Sequence, residues 1–289
     1  MTQEGETPDL IETGPLPFGF MALGAARGLF KPSGPAHLPS RLWTRTVRLD
    51  PDDYGPYARF CGFGPEQGVP MTWPYVLSFP LQMRLMLAQD FPYPAMGMVH
   101  LASHIRQESR LHASDTLRLI CGTGRFHAHP KGQAFSLDIR AERDGATIWS
   151  ATSFYLRRGA AGQGADLPSL SRGKLDHKIE TIEARLATAR RYARLSGDAN
   201  PIHTSEILAR ILGFPRPLAH GMWTKARALS ALTEGRPVDA ASAEVSFKNP
   251  LLMPSKAELY AVSSGAVCDF DCRSIDGART FLLGRLSLL

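Results

Sequence analysis

The chain repeats itself once, and that repeat limits what it can fold into. Arg45-Thr46-Val47 stands ten residues ahead of Tyr57-Ala58-Arg59-Phe60-Cys61-Gly62. Shifted by 135 positions, Glu180-Thr181-Ile182 stands at the same distance from Tyr192-Ala193-Arg194-Leu195-Ser196-Gly197. Thr, Tyr, Ala, Arg and Gly are identical, and Val/Ile and Phe/Leu are conservative. Such self-similarity points to two copies of one fold. A length of 289 residues independently suggests about two domains. Between the copies, Gly159 to Gly173 is rich in Gly and Ser and reads as a linker. The expected division is an irregular segment over 1–40, an N-terminal copy over 41–158, a linker over 159–174 and a C-terminal copy over 175–289.

The C-terminal copy is the clearer one. A helix is expected from Glu183 to Leu195, with Leu186, Ala189, Tyr192 and Ala193 on one face and Gly197 as its stop. Thr204 or Ser205 then caps a short helix bearing Ile207, Leu208 and Ile211. A longer helix runs from Gly221 to Thr233. Beyond it the pattern alternates as strands: Ala243 to Lys248, Lys256 to Ser263, Val267 to Ser274 and Thr280 to Leu288. In the N-terminal copy, a strand over Thr44 to Leu49 precedes a helix around Tyr57. A second helix over Tyr75 to Ala88 is interrupted by Pro80. Strands follow over Gly97 to Arg106, Thr116 to His129, Ala134 to Glu142 and Thr147 to Arg157. Helices first and antiparallel strands after, twice over, define an α+β class with each sheet wrapped on a helix.

Composition removes several function classes. No uncharged apolar run approaches the ~18 residues needed to cross a bilayer; the best, Gly19 to Phe30, is short and contains Arg27. The first dozen residues carry four acidic groups and no Lys or Arg, the reverse of a secretory leader, so a soluble cytoplasmic protein is expected. The net charge of +6 is scattered rather than gathered into runs, which argues against nucleic acid and suits a small polyanion. Cys268 and Cys272, four apart on a predicted strand, are too distant for a bridge, and all four cysteines read as reduced thiols. His127 and His129 share a strand face but lack an evident third ligand, so they read as exposed histidines and no metal is expected. Met71, Met83, Met86, Met96 and Met98 fill either a core or an adaptable apolar pocket.

The chemistry lies in one loop. Tyr192-Ala193-Arg194-Leu195-Ser196-Gly197-Asp198-Ala199-Asn200-Pro201-Ile202-His203, continued by Gly213-Phe214-Pro215-Arg216-Pro217-Leu218-Ala219-His220-Gly221-Met222, resembles the signature of the MaoC-like, or hydratase 2, family. The likeness is strong over about 180–250 and only architectural over 40–157. It departs where the family commonly has Asp two residues after the His; Ser205 stands there, at a helix-cap position. The resemblance implies a double hotdog, two fused helix-wrapped antiparallel sheets. It implies reversible hydration of a trans-2-enoyl-CoA to the (3R)-3-hydroxyacyl-CoA. The rivals are a dehydratase acting on acyl carrier protein and a non-catalytic acyl-thioester-binding protein; a hotdog thioesterase fits less well.

The residues support the same reading. Adding water across an enoyl thioester needs a base for the water, a proton for the α-carbon and donors for the thioester oxygen. Asp198 and His203, five apart on a tight loop, can share one water, with neither assigned as acid or base, and Asn200 can orient that water or hold the loop. Gly221 opens a helix, where its amide is free to serve as an oxyanion donor. His220 reads as structural, bonded to a loop carbonyl. Proton transfer alone requires no cofactor. Arg216, Lys225 and Lys248 are candidate contacts for the CoA phosphates. In the N-terminal copy the positions equivalent to Asp198 and His203 hold Phe63 and Gly68, so one site per chain is expected. That copy should open an acyl tunnel lined by Phe79, Met83 and Met86, with Phe63 in place of the acid. The partner is an acyl-CoA or acyl carrier protein thioester, with no nucleic acid, no membrane, and a homodimer as the open option for assembly.

Overall fold

The computed structural model describes residues 10–13, 37–95, 97–159, 161–171, 173 and 175–289. Gly19 to Phe30 and Met96 lie outside the described residues. Among the described residues eleven strands form a single sheet: β1 (Leu10–Glu12), β2 (Leu42–Arg48), β3 (Val99–Gln107), β4 (Thr116–His127), β5 (Gly132–Arg143), β6 (Ala146–Arg158), β7 (His177–Ala184), β8 (Ala241–Phe247), β9 (Ser255–Ser264), β10 (Val267–Ser274) and β11 (Thr280–Leu288). Their spatial order is β1-β2-β4-β5-β6-β3-β8-β11-β10-β9-β7. Apart from the parallel pair β1–β2, every pairing is antiparallel.

Read inward from each end, β2-β4-β5-β6-β3 and β7-β9-β10-β11-β8 are the same order, so the repeat is a repeat of topology. The two copies meet where β3 pairs with β8, from Ala102 opposite Ser246 to Gln107 opposite Ala241. This is a double hotdog. β1 lies in the stretch expected to be irregular and extends the outer edge beyond β2.

Helices cover the sheet: α1 (Pro51–Cys61), α2 (Trp73–Leu87), α3 (Leu186–Ser196), α4 (Pro201–Thr204), α5 (Glu206–Ile211) and α6 (Gly221–Thr233). The repeated motifs are α1 and α3, which end at Gly62 (φ 87°) and Gly197 (φ 76°), left-handed caps that glycine adopts without strain. Their tyrosines meet, Tyr57 and Tyr192 with ring centroids 6.1 Å apart. The helix expected from Glu183 begins later, because Ile182 and Ala184 alternate inward on β7 and pair with β9. Ser205 caps α5 through its Oγ, which accepts from Leu208 N at 3.3 Å. Pro80 does not interrupt α2. Burial of Trp73, Leu81 and Leu85 holds the helix together against a lost bond worth about 3 kcal/mol in an exposed rod.

The stretch expected as a linker is tied down. Ala165 bridges to His127 and Gly162 to His129, and Gln133 Nε2 donates to Gln163 O at 2.8 Å. A Cβ on Gly164 would sit 2.4 Å from Phe126 O, and one on Gly162 2.6 Å from Gly132 O. These glycines serve close backbone approach rather than flexibility. For the same reason His127 is buried rather than exposed, with Nδ1 3.2 Å from Asp166 O and Nε2 3.3 Å from Ser136 Oγ. Among the described residues no helix is long and apolar enough to cross a membrane.

Candidate active site

After Gly197 the chain turns sharply, and the loop is stiffened by its own short side chains. Asp198 N donates to Ser196 Oγ and Asn200 N to Asp198 Oδ1, both at 3.3 Å. Asn200 Oδ1 caps α4 by accepting from Ile202 N at 3.3 Å, and Pro201 occupies the first helical position, where its missing N–H costs nothing. His203 therefore sits on a one-turn helix whose start is fixed by Asn200.

The ring of His203 is fixed from the other side. Its Nδ1 lies 2.8 Å from Leu218 O; a carbonyl only accepts, so Nδ1 carries the proton and Nε2 is left with a lone pair. The carbonyl is itself anchored, since Leu218 N donates to Ile202 O at 3.1 Å and Ala219 N to Leu251 O at 2.9 Å. His220 packs against His203 with ring centroids 3.8 Å apart and planes tilted by 32°, and its Nε2 donates to Asp198 O at 3.0 Å. One carboxylate oxygen of Asp198 and one ring nitrogen from each histidine lie within 4.8 Å of one another. The loop thus gathers an acid and two imidazoles around a space the size of a small molecule.

Burial sets the protonation of these rings. It pushes His203 below the usual imidazole range, opposed by the Asp198 carboxylate and the Leu218 carbonyl. His220 is driven well below that range by burial and by His203, with its bond to Asp198 O opposing. Both imidazoles are neutral at neutral pH. Gly221 follows His220 as the first residue of α6, where an N–H has no acceptor within the helix. A Cβ there would come within 2.8 Å of the Phe247 ring, so only glycine lets α6 start against that ring.

All these groups line one cavity of about 600 Å³. Asp198, Asn200, His203 and Gly221 are brought together, and Phe79, Met83 and Met86 line the same space from α2. Lys248 lines it from the exposed rim. Three expectations are corrected. Lys225 cannot meet a phosphate: it is fully buried and its Nζ donates to Ser103 O (3.0 Å), Ser103 Oγ (3.2 Å) and Ala243 O (2.9 Å). Phe63 is packed in the core and takes no part in the cavity wall, because α1 closes with Phe63 N bonded back to Ala58 O. Arg216 is exposed but outside the wall, its guanidinium donating to Pro254 O at 3.3 Å.

Sequence reasoning missed Tyr75, Tyr155, His100 and Phe247, all of which line the cavity. Each looked like an ordinary strand or helix residue, and only the seam between β3 and β8 carries His100 and Phe247 to the site. One signal was present for α2. Val76, Phe79, Met83 and Met86 recur at helical spacing, and that face is the cavity wall.

Comparison with known proteins agrees with this architecture. Residues 172–281 match the MaoC like domain. The 3-hydroxyacyl-thioester dehydratase X of Mycobacterium tuberculosis is 32% identical over 242 residues, covering 82% of this chain and 86% of that protein. The crystal structure of HtdX from the same organism superposes with a TM-score of 0.74 at 29% identity, over 85% of this chain and all of that one. A peroxisomal enoyl-CoA hydratase 2 of Arabidopsis thaliana is 49% identical over 39 residues, 14% of this chain and 13% of that protein. The chain belongs to the MaoC-like dehydratase family.

Proposed function

We propose that the protein is a hydro-lyase that adds water to a trans-2-enoyl-CoA to give the (3R)-3-hydroxyacyl-CoA, and runs the reverse dehydration, at one site in residues 175–289. In this reading residues 41–158 are a hotdog without catalytic groups. The observation that carries it is the loop geometry: Asp198 and His203 face one space, with His203 Nε2 unprotonated and the N-terminus of α6 alongside. In the hydration direction, water held between Asp198 and His203 gives its oxygen to C3. The proton taken from it is returned to C2, so one O–H bond and the C2=C3 π bond break and one C–O and one C–H bond form. The N–H of Gly221 donates to the thioester oxygen as charge develops there. Asn200 holds the loop through its cap on α4.

The likeness to a 3-hydroxyacyl-thioester dehydratase supports the reaction class, and the hydratase 2 likeness supports CoA as carrier. The exposed Arg158 and Lys248 on the cavity rim stand where a phosphate-bearing carrier would cross. Phe79, Met83 and Met86 form the wall along which the acyl group lies. The test is a steady-state assay of trans-2-enoyl-CoA hydration, with the matching carrier-protein thioester run beside it. Asp198→Asn and His203→Ala should each lower turnover at least ~100-fold with the fold intact by circular dichroism. Wild-type turnover in either variant refutes the assignment, and preference for the carrier-protein substrate refutes CoA.

A further inference from the structure

The cavity has two unlike walls. One is the apolar stripe of Val76, Phe79, Met83 and Met86 on α2; the other, built from Tyr75 of α2, His100 of β3 and Tyr155 of β6, is aromatic with polar tips. On that wall Tyr75 and Tyr155 hydroxyls lie 3.1 Å apart, Tyr155 donates to Gln82 Oε1 at 3.2 Å, and Gln82 Nε2 donates to Ser78 Oγ at 3.2 Å. Ser78 Oγ in turn donates to Tyr75 O at 2.7 Å. The tyrosines thus satisfy each other through a closed set of buried partners.

His100 is the exception. A β-bulge between His100 and Ala102 places it opposite Tyr155, and the two rings stack with centroids 4.6 Å apart. Its ring also meets Phe247, centroid to centroid 5.0 Å, and Phe247 is the ring against which Gly221 is packed. His100 therefore stands one aromatic ring away from the proposed oxyanion donor. It lines the cavity, and its Nε2 is out of solvent with no hydrogen-bond partner among the described residues. A buried polar atom left unpaired destabilises a fold, which calls for an explanation.

The missing partner has a definite chemistry. A contact with the backbone of Ala102 favours a proton on the ring, and with Nε2 unpartnered that proton sits on Nδ1. Burial and the nearby Lys225 push His100 down to about 3, so the ring stays neutral. Nε2 is then an acceptor only. A ketone has no proton to offer it, and a cationic group is disfavoured by Lys225. A hydroxyl fits on both counts.

We infer that the natural substrate is an acyl thioester carrying a hydroxyl group a few carbons beyond the reacting double bond, and that His100 recognises it. This rests on the thioester reading above and deepens it. A site built to pair a substrate hydroxyl discriminates against the analogue that lacks it, because the buried group is left unpaired.

The experiment compares trans-2-octenoyl-CoA with derivatives bearing a hydroxyl or a ketone at the fifth, sixth or seventh carbon. One hydroxylated isomer should exceed the parent by at least ~10-fold in kcat/KM, while its ketone counterpart shows no gain. His100→Phe should bring the hydroxyl-to-parent ratio close to one, and His100→Gln, which keeps an acceptor, should restore part of it. The ratio is the readout, so a general loss from misfolding cancels. A wild-type ratio near one for every isomer, or an unchanged ratio in His100→Phe, overturns the inference. If no thioester in the set is turned over, it is the hydratase reading that has failed.

Discussion

Replacing Lys225 by Met tests the part of the molecule that sequence reasoning misplaced. Lys225 stands one turn along α6 from Gly221, and its ammonium reaches Ser103 on β3 and Ala243 on β8, the two strands of the seam. Hydrogen bonds to a charged group contribute about 1.5–3 kcal/mol each, so three of them are large in gross terms. The cost of burying an ammonium, several kcal/mol, offsets most of this. Met keeps the volume and removes the charge, leaving neutral acceptors that lose a donor. The net loss at pH 7 should be about 1–3 kcal/mol. Burial holds the lysine well below its ordinary range. The unfolded chain therefore binds more protons than the folded one between the folded value and about 10.5, and wild-type stability rises with pH there. The slope is at most ~1.4 kcal/mol per pH unit from this group. Met at 225 carries no such proton, so the gap between wild type and variant should widen from pH 7 to pH 9 in urea unfolding. A gap that is constant with pH, or a variant as stable as wild type, would refute the argument.

Two further outcomes follow from the cavity and the loop. Met83→Trp fills the α2 side of the acyl space, so the ratio of long-chain to short-chain enoyl-CoA turnover should fall at least ~10-fold; an unchanged ratio means the acyl group lies elsewhere. In an NMR titration His203 should protonate below the ordinary imidazole value, and Asp198→Asn, which removes the charge that raises it, should move the midpoint lower still. A midpoint moving upward contradicts the proximity of the two groups.

The site loop was legible in the sequence because its determinants are local. Asp198, Asn200, Pro201 and His203 fix one another through bonds that span only a few residues, so their spacing already encodes their geometry. The strands of both copies were legible for a similar reason, since alternation is a property of each segment alone. What stayed hidden depends on pairing across the chain. Lys225 reads as a surface cation on a helix, and only the meeting of β3 with β8 turns it inward. Gly162 and Gly164 read as flexible, and only the neighbouring backbone of β4 and β5 shows why glycine is needed. His100 reads as a strand residue until a bulge and two aromatic neighbours give it an orphaned nitrogen.

In the N-terminal copy, where Phe63 and Gly68 stand at the positions equivalent to Asp198 and His203, the corresponding segment makes mechanical contacts instead. The segment equivalent to the Asp198 loop runs from Phe63 through a short 3-10 turn at Pro65–Gln67. Its first side chain enters the core, and Gln67 Nε2 donates to Thr233 Oγ1 at the last turn of α6. Arg227, midway along that helix, donates to Cys61 O at the end of α1 (3.1 Å) and pairs with Glu180 on β7 at 2.7 Å. With Lys225 bound across the seam, α6 is held at its middle and at its far end. Its first residue, Gly221, is held by neither and rests on Phe247. A helix gripped in this way keeps its N-terminus in place without a covering side chain, which leaves the amide open to the cavity. An oxyanion donor needs fixed position more than strength, because a dipole that must reorient during the reaction stabilises little. In the proposed reading the N-terminal copy therefore supports the site twice: α2 supplies the wall for the acyl group, and the segment from Phe63 to Gln67 clamps the helix whose other end would face the thioester.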